Sequence, residues 1–330
     1  MAPASDLPAD SGTAWRKRVI DRVVYFPIWV VFEILGRLPL ERSVRLGASL
    51  GRLYGRLGGA RSGASRANIE LVFPSWSDAE REALLLASFA NMGRSIAETA
   101  QLRGSGRRAL LQGVRVEGAE HYEAARARSK TGGVLAVSAH FGSWELLGAA
   151  MVDHGYPLSV VHHTLENPHL DHLIVTVRQS VGLETLAMGG AGLGVIRAVR
   201  RGQAVALLMD QNAGRDEGVF APFFSHLAST RSAPARLAVA RDIPVLPVFI
   251  FREPDGGHVT RIYPALELEP EPAEEPEATA ALERNVARMN RAIEVAIEAA
   301  PDEWIWVHKR WKTRPEGAPK LYPRRVRGRA

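Results

Sequence analysis

Hydrophobic positions divide the chain into a helical first third and a longer part in which short apolar runs alternate with helical periods. The most apolar stretch is Val23 to Leu40, preceded by Arg16, Lys17 and Arg18 and interrupted by Glu33 and Arg37. Its uncharged run is shorter than the roughly 20 residues that a membrane-crossing helix needs. It therefore predicts a membrane-inserted or interfacial anchor, with the basic triplet on the cytoplasmic side. Residues Glu41 to Arg56 read as a helix with Leu46, Leu50, Leu53 and Tyr54 on one face. Ser77-Asp78-Ala79-Glu80 is a helix-start signature. The helix it opens runs to about Leu102, with Leu84, Leu85, Phe89 and Met92 turned inward.

Strand signals then recur at Val114 to Val116, Val134 to Ser138, Leu158 to His162, Ala204 to Met209 and Val245 to Phe251, with His258 to Tyr263 as an edge strand. Helical segments separate them at Glu120 to Arg128, from after Asp171 to about Gly182, and after the Gly189 to Gly194 turn. Val219 to Phe224 reads as an apolar loop, with Ser229-Thr230-Arg231 before another helix. Glu267 to Glu277 reads as a Pro/Glu-rich connector, and Leu282, Val286, Met289, Ile293 and Ile297 mark an amphipathic helix. The alternation predicts an α/β fold: a mixed, mostly parallel sheet flanked by helices, with an N-terminal helical membrane-associated segment. The expected organisation is a disordered N-terminus (1–14), a helical anchoring region (15–110), an α/β domain (111–317) and a basic tail (318–330).

Composition narrows the chemistry. Hydrophobic residues are 46% and charged residues 24% of 330, which is globular and large enough for a sizeable core. The chain has no cysteine, which excludes disulfides, thiolate metal sites and cysteine nucleophiles. A net charge of +6 calls for an anionic partner: membrane lipid, nucleic acid or a phosphorylated substrate. No nucleic-acid motif is present. His162, His163, His169 and His172 cluster, but their spacing matches no zinc signature, so no metal is expected.

The strongest chemical signal follows the Val134 to Ser138 run. It delivers His140, a Phe141-Gly142-Ser143 turn, and Glu145 at the start of an apolar helix. On one continuous helix the two side chains, five residues apart, would point roughly 140° away from each other. They meet only if His140 precedes the helix, with Ser143 as N-cap and Glu145 in the first turn. A carboxylate there would take the proton of one imidazole nitrogen and leave the other as general base. Asp210, in Asp210-Gln211-Asn212, stands at the end of another strand, where α/β proteins keep their sites and where an Asx turn is equally natural. The aromatics and cations from Trp304 to Arg314, Lys309 and Arg310 among them, suit a membrane interface or a phosphorylated ligand.

Taken in order, these features resemble the lipid A biosynthesis acyltransferases of the lauroyl/myristoyl type, over about Trp15 to Gly317. The resemblance rests on the N-terminal apolar segment, Asn68 to Pro74, His140 to Glu145, Asn167-Pro168, Arg178, Asp210-Gln211, Val219 to Phe224 and Trp306 to Gly317. The chain departs from the family pattern in Asn212, where a second acid is common, and in Ala213, where an aromatic is common. The resemblance implies acyl transfer from an acyl-carrier-protein or acyl-CoA thioester to a hydroxyl of a lipid A precursor, an anionic glycolipid, at the cytoplasmic face of the bacterial inner membrane, with no cofactor; an acyltransferase on another glycolipid or lysophospholipid is the alternative within the class. It implies His140 as general base oriented by Glu145. Arg178 and Asp210 would position the lipid or brace the His–Glu pair. Asn167, Phe223, Phe224, Lys309 and Arg310 are the further candidate substrate-binding residues, with Phe223 and Phe224 as walls of an acyl pocket. A non-catalytic basic membrane-binding protein is the alternative of another class, and it would leave His140 and Glu145 dispensable.

Overall fold

The computed structural model describes residues 11–187 and 191–322. The expected disorder of residues 1–10, the turn at Gly189 and Gly190, and residues 323–330 of the basic tail lie outside the described residues. Helix α1 (Ser11–Arg37) already includes residues expected to be disordered. It is followed by α2 (Leu40–Leu57), α3 (Ala60–Val72), α4 (Asp78–Gln101) and α5 (Arg107–Gln112). The predicted start of α4 carries a capping box: Glu80 N–H donates to Ser77 Oγ, and Ser77 N–H donates to Glu80 Oε2.

Helix α2 is amphipathic in an inverted sense. Its buried face is Ser43, Gly47, Ala48, Gly51 and Gly55, and its leucine face points outward. The small face lets its backbone approach α4 closely. A Cβ on Gly51 would lie 2.0 Å from the Phe89 carbonyl oxygen. Among the described residues no helix is long and apolar enough to cross a membrane.

The remaining elements are β1 (Val114–Glu117), α6 (Ala119–Arg128), β2 (Val134–Ser138), α7 (Trp144–Asp153), β3 (Leu158–His162), α8 (Pro168–Ser180), β4 (Glu184–Ala187), α9 (Ala191–Arg200) and β5 (Ala204–Leu208). Then come β6 (Gly218–Phe223), β7 (His226–Arg231), α10 (Ala233–Arg241), β8 (Val245–Arg252), β9 (His258–Ile262) and α11 (Glu277–Ala299). Seven strands form one sheet in the order β1-β9-β8-β2-β5-β3-β4. All neighbours are parallel except β8 and β9, so the fold is mixed α/β with a mostly parallel sheet, flanked by helices.

Alternate residues of β2 feed two cores. Leu135 and Val137 join the layer of α9, α10 and α11, while Val134 and Ala136 join that of α6, α7 and α8. Helix α4 reaches both, with Leu85 and Phe89 in one and Ala97 and Ala100 in the other.

Four sequence expectations change. His258 to Ile262 is an interior strand, because β1 pairs with its free side. Val219 to Phe223 is not a loop but half of an antiparallel ribbon with β7, which also takes in Ser229, Thr230 and Arg231. Pro222 argues against a central strand, but a two-stranded ribbon is all edge. The short, largely exposed β4 carried no apolar signal. Trp304, Trp306 and Trp311 are no interfacial surface; all three are buried in the core.

Candidate active site

The carboxyl end of β2 passes directly into Ala139-His140-Phe141-Gly142-Ser143 and then α7. Gly142 has a φ of +58°, and a Cβ there would lie 2.3 Å from the Ile250 carbonyl oxygen, so the turn needs glycine. Its N–H donates to the Glu303 carbonyl at 2.9 Å, and its own carbonyl accepts from Ser95 Oγ at 2.7 Å. Ile305 N–H donates to the His140 carbonyl at 3.0 Å, and Phe141 and Trp304 form an antiparallel bridge. Two remote segments therefore clamp the histidine turn. Ser143 occupies the predicted N-cap position, but its side chain makes no capping bond.

Strand β5 runs beside β2 to its end, where Met209 N–H donates to the Ser138 carbonyl. That register places the next residue, Asp210, against His140. Asp210 Oδ1 lies 2.9 Å from His140 Nδ1. Its Oδ2 accepts the indole N–H of Trp304 at 2.8 Å. Burial alone would push the Asp210 carboxyl up, but the imidazole and the Trp304 bond outweigh it and hold the carboxyl at about 2. Burial likewise opposes the imidazolium of His140, yet the adjacent Asp210 charge raises its pKa above the usual histidine value. Asp210 is 3% exposed and the His140 side chain 25%, so the imidazole is the open end of the pair.

Glu145 lies elsewhere than the sequence reading expects. It is buried at the start of α7 in a two-pronged pair with Arg178 of α8, at 2.9 Å (Nε to Oε2) and 2.7 Å (Nη2 to Oε1). Trp144 Nε1–H adds a third bond to Glu145 Oε1. Glu145 reaches His140 only through its field, and the group that orients the imidazole is Asp210. Among the described residues, Arg178 Nη1 is buried without a partner. Gln211 holds its amide nitrogen 3.3 Å from His140 Nε2.

A narrow apolar cavity opens beside this site. Ser138, Trp144, Glu145 and Arg178 form its polar end, and Ala136, Gly148, Met151 and Ala206 line its length between the sheet and α7.

The other candidates have structural duties. Asn167 caps α8 by accepting from the His169 and Leu170 N–H groups, and donates to the Asp21 carbonyl of α1. Phe223 is fully buried against Trp304 and Trp311, on the other core layer from the cavity. Phe224 turns the β6–β7 ribbon at a φ of +50° and donates its N–H to Glu294 Oε1. Arg310 is wholly buried, donates to the carbonyl of Ser229 and to Thr230 Oγ1, and lies 4.6 Å from the centre of the Phe223 ring. Burial depresses its pKa to about 10. Lys309 is exposed beside Tyr322. Sequence reasoning missed Trp304 as a partner of Asp210, since alternation with cations makes it look like one more interfacial aromatic.

The chain matches the bacterial lipid A biosynthesis acyltransferase family over residues 12–313. It belongs to that family. The enzyme is an acyltransferase. It is 31% identical to the lipid A biosynthesis lauroyltransferase of Escherichia coli strain K12 over 89% of this chain and 92% of that one. The palmitoleoyltransferase of lipid A biosynthesis from the same organism is 30% identical over 90% and 95% of the two chains. The myristoyltransferase is 28% identical over 84% and 83%.

Proposed function

We propose that this acyltransferase moves a fatty acyl chain from an acyl-carrier-protein thioester, or acyl-CoA, to a hydroxyl of an anionic lipid A precursor. The observation that carries the mechanism is Asp210 on His140 Nδ1, which leaves Nε2 as the base at the carboxyl ends of the two central strands, once the Gln211 amide 3.3 Å away gives way to the acceptor hydroxyl. His140 Nε2 takes the hydroxyl proton as the oxygen attacks the thioester carbonyl. A C–O bond forms, the C–S bond breaks, and the imidazolium returns the proton to the leaving thiolate. No acyl-enzyme is required. The unpartnered Nη1 of Arg178, at the polar end of the cavity, is a donor for the developing oxyanion, a kind of contact worth several kcal/mol in general. The acyl chain enters between the sheet and α7, where the apolar cavity of about 50 Å³ must widen to hold it, rather than the region of Phe223 and Phe224. The names of the E. coli relatives support lipid A as the acceptor.

Membranes bearing the protein, given a labelled acyl-carrier-protein thioester and a Kdo-modified lipid A precursor, test this reading. Wild type is expected to transfer the chain, and His140→Ala to be slower by about 10²–10⁴-fold at matched folded protein. Because the base must be neutral, kcat/KM falls as pH drops through a His140 pKa that is raised above the usual value. Equal transfer by both proteins would refute the mechanism. Transfer by neither, with the thioester intact, would refute the donor–acceptor pair.

The membrane-facing side is α1 with α2. Trp15, Ile20, Val23 and Phe26 on α1, and Leu50, Leu53 and Leu57 on α2, are all exposed, and arginines flank them. These helices lie in the interface of the inner membrane on its cytoplasmic face, with apolar side chains below the headgroups. Exchanging Leu50 and Leu53 for Glu is expected to weaken sedimentation with anionic vesicles at least about tenfold, since each leucine contributes on the order of 1.5–3 kcal/mol when buried. Unchanged vesicle binding would move the contact elsewhere.

A further inference from the structure

We infer that Trp304 is a positioning residue of the catalytic pair, the third member of a His140–Asp210–Trp304 relay, and this rests on the general-base reading above. The carboxylate of Asp210 has two oxygens, and each is engaged: Oδ1 by His140 Nδ1 at 2.9 Å and Oδ2 by Trp304 Nε1–H at 2.8 Å. The torsion that turns an aspartate carboxylate is broad and soft. With one partner the carboxylate can swing about its bond to the imidazole. With two partners at its two oxygens the swing is fixed, and so is the direction in which Nε2 points. A donor to an ionised oxygen is also among the stronger hydrogen bonds.

The indole is well anchored for that duty. Trp304 is 1% exposed and packs edge-on against Trp306, with ring centres 4.6 Å apart, and against Phe223. Its backbone is bridged to Phe141, and the next N–H donates to the His140 carbonyl. One segment after α11 thus holds the His140 main chain with its backbone and the Asp210 side chain with its indole. His140 and Asp210 follow two different strands, and this segment ties them together.

The bond is not a mere consequence of burying a tryptophan. Trp306 donates to the Pro301 carbonyl, whereas Trp311, equally buried, has no partner for its indole N–H among the described residues. Trp311 is therefore the internal control for packing without a hydrogen bond to the pair.

The test replaces Trp304 by Phe and, to remove only the N–H, by β-(3-benzothienyl)alanine, whose sulfur stands where the indole nitrogen was. Trp311→Phe serves as the packing control. Acyl transfer gives kcat and KM for each folded protein, and NMR follows the His140 ring through its titration. The benzothienyl variant is expected to lose about tenfold in kcat, the value of one charge-assisted hydrogen bond, with KM within about twofold of wild type. Its His140 titration midpoint is expected to move, while that of Trp311→Phe stays. The isostere decides the question even if Trp304→Phe does not fold. A benzothienyl variant with the kcat and the His140 midpoint of Trp311→Phe would overturn the assignment. A displaced midpoint in a system where wild type transfers no acyl group would sustain the positioning role and defeat the proposed reaction instead.

Discussion

Asp210→Asn is expected to lower kcat by about 10³–10⁴-fold while the protein keeps its fold, by analogy with the cost of the same change in other His–Asp pairs. The side chain sits 2.9 Å from His140 Nδ1. An aspartate there accepts a hydrogen bond from Nδ1–H, and Nε2 keeps its lone pair for the Gln211 amide or the substrate hydroxyl that replaces it. An asparagine amide can turn its NH₂ to Nδ1 instead, which places the ring proton on Nε2 and removes the base. The variant also loses the carboxylate charge that raises the His140 pKa. Its residual activity should therefore have an acid limb displaced to lower pH. A pH–rate profile of the purified variant checks both points. Wild-type kcat, or an unmoved acid limb, would remove Asp210 from the relay.

Glu145→Gln should fail in a different way. The carboxylate is the counter-charge of a buried guanidinium, and the side chains of Arg178 and Glu145 are only 13% and 8% exposed. A neutral amide leaves Arg178 without its ion-pair partner, and breaking a buried pair from one side costs about 3–5 kcal/mol. Urea denaturation is expected to show a loss of that order. Activity falls as well, because Arg178 is no longer held at the polar end of the cavity. The acid limb of the surviving activity should move to lower pH by less than in Asp210→Asn, since Glu145 raises the His140 pKa only through its field and Asp210 still holds the imidazole. Removing both charges together, as Glu145→Leu with Arg178→Met, should recover much of the stability and none of the activity. A Glu145→Gln profile displaced like that of Asp210→Asn would mean that Glu145 governs the histidine after all.

These two variants separate the acids that the chain itself presents as near equals. Five-residue spacing made Glu145 the natural partner for His140, and the helix start does lie where that argument puts it, with Glu145 in the first turn of α7. The direction of its side chain was the part that spacing could not reach. Glu145 turns into the layer under α8, where Arg178 arrives from 33 positions farther along the chain. Asp210 arrives from 70 positions away, because β5 pairs with β2 and ends level with it. Register between two strands is a tertiary fact, and it chose the carboxylate.

Local patterns did determine a good deal. Apolar runs with turn residues at both ends specified β2, β3, β5 and β8, because such runs can be buried on both faces only in a covered sheet. Ser77 and Glu80 specified the start of α4, because a capping box is a contact between near neighbours. His140, before a glycine turn and a helix, was legible as a chemical residue for the same reason. What only the tertiary structure decided depends on partners distant in the chain. Gly51 and Gly93 set which face of α2 is inside, since only a bare backbone allows the approach to α4. The ribbon beside Phe223 exists because β7 pairs with β6. Trp304 and Arg310 look like surface chemistry in the sequence, yet both are buried, because one carboxylate from elsewhere takes the Trp304 indole N–H, and carbonyls and a hydroxyl take the two Nη groups of Arg310. A buried polar group needs such partners, and the linear order of residues does not show where they come from.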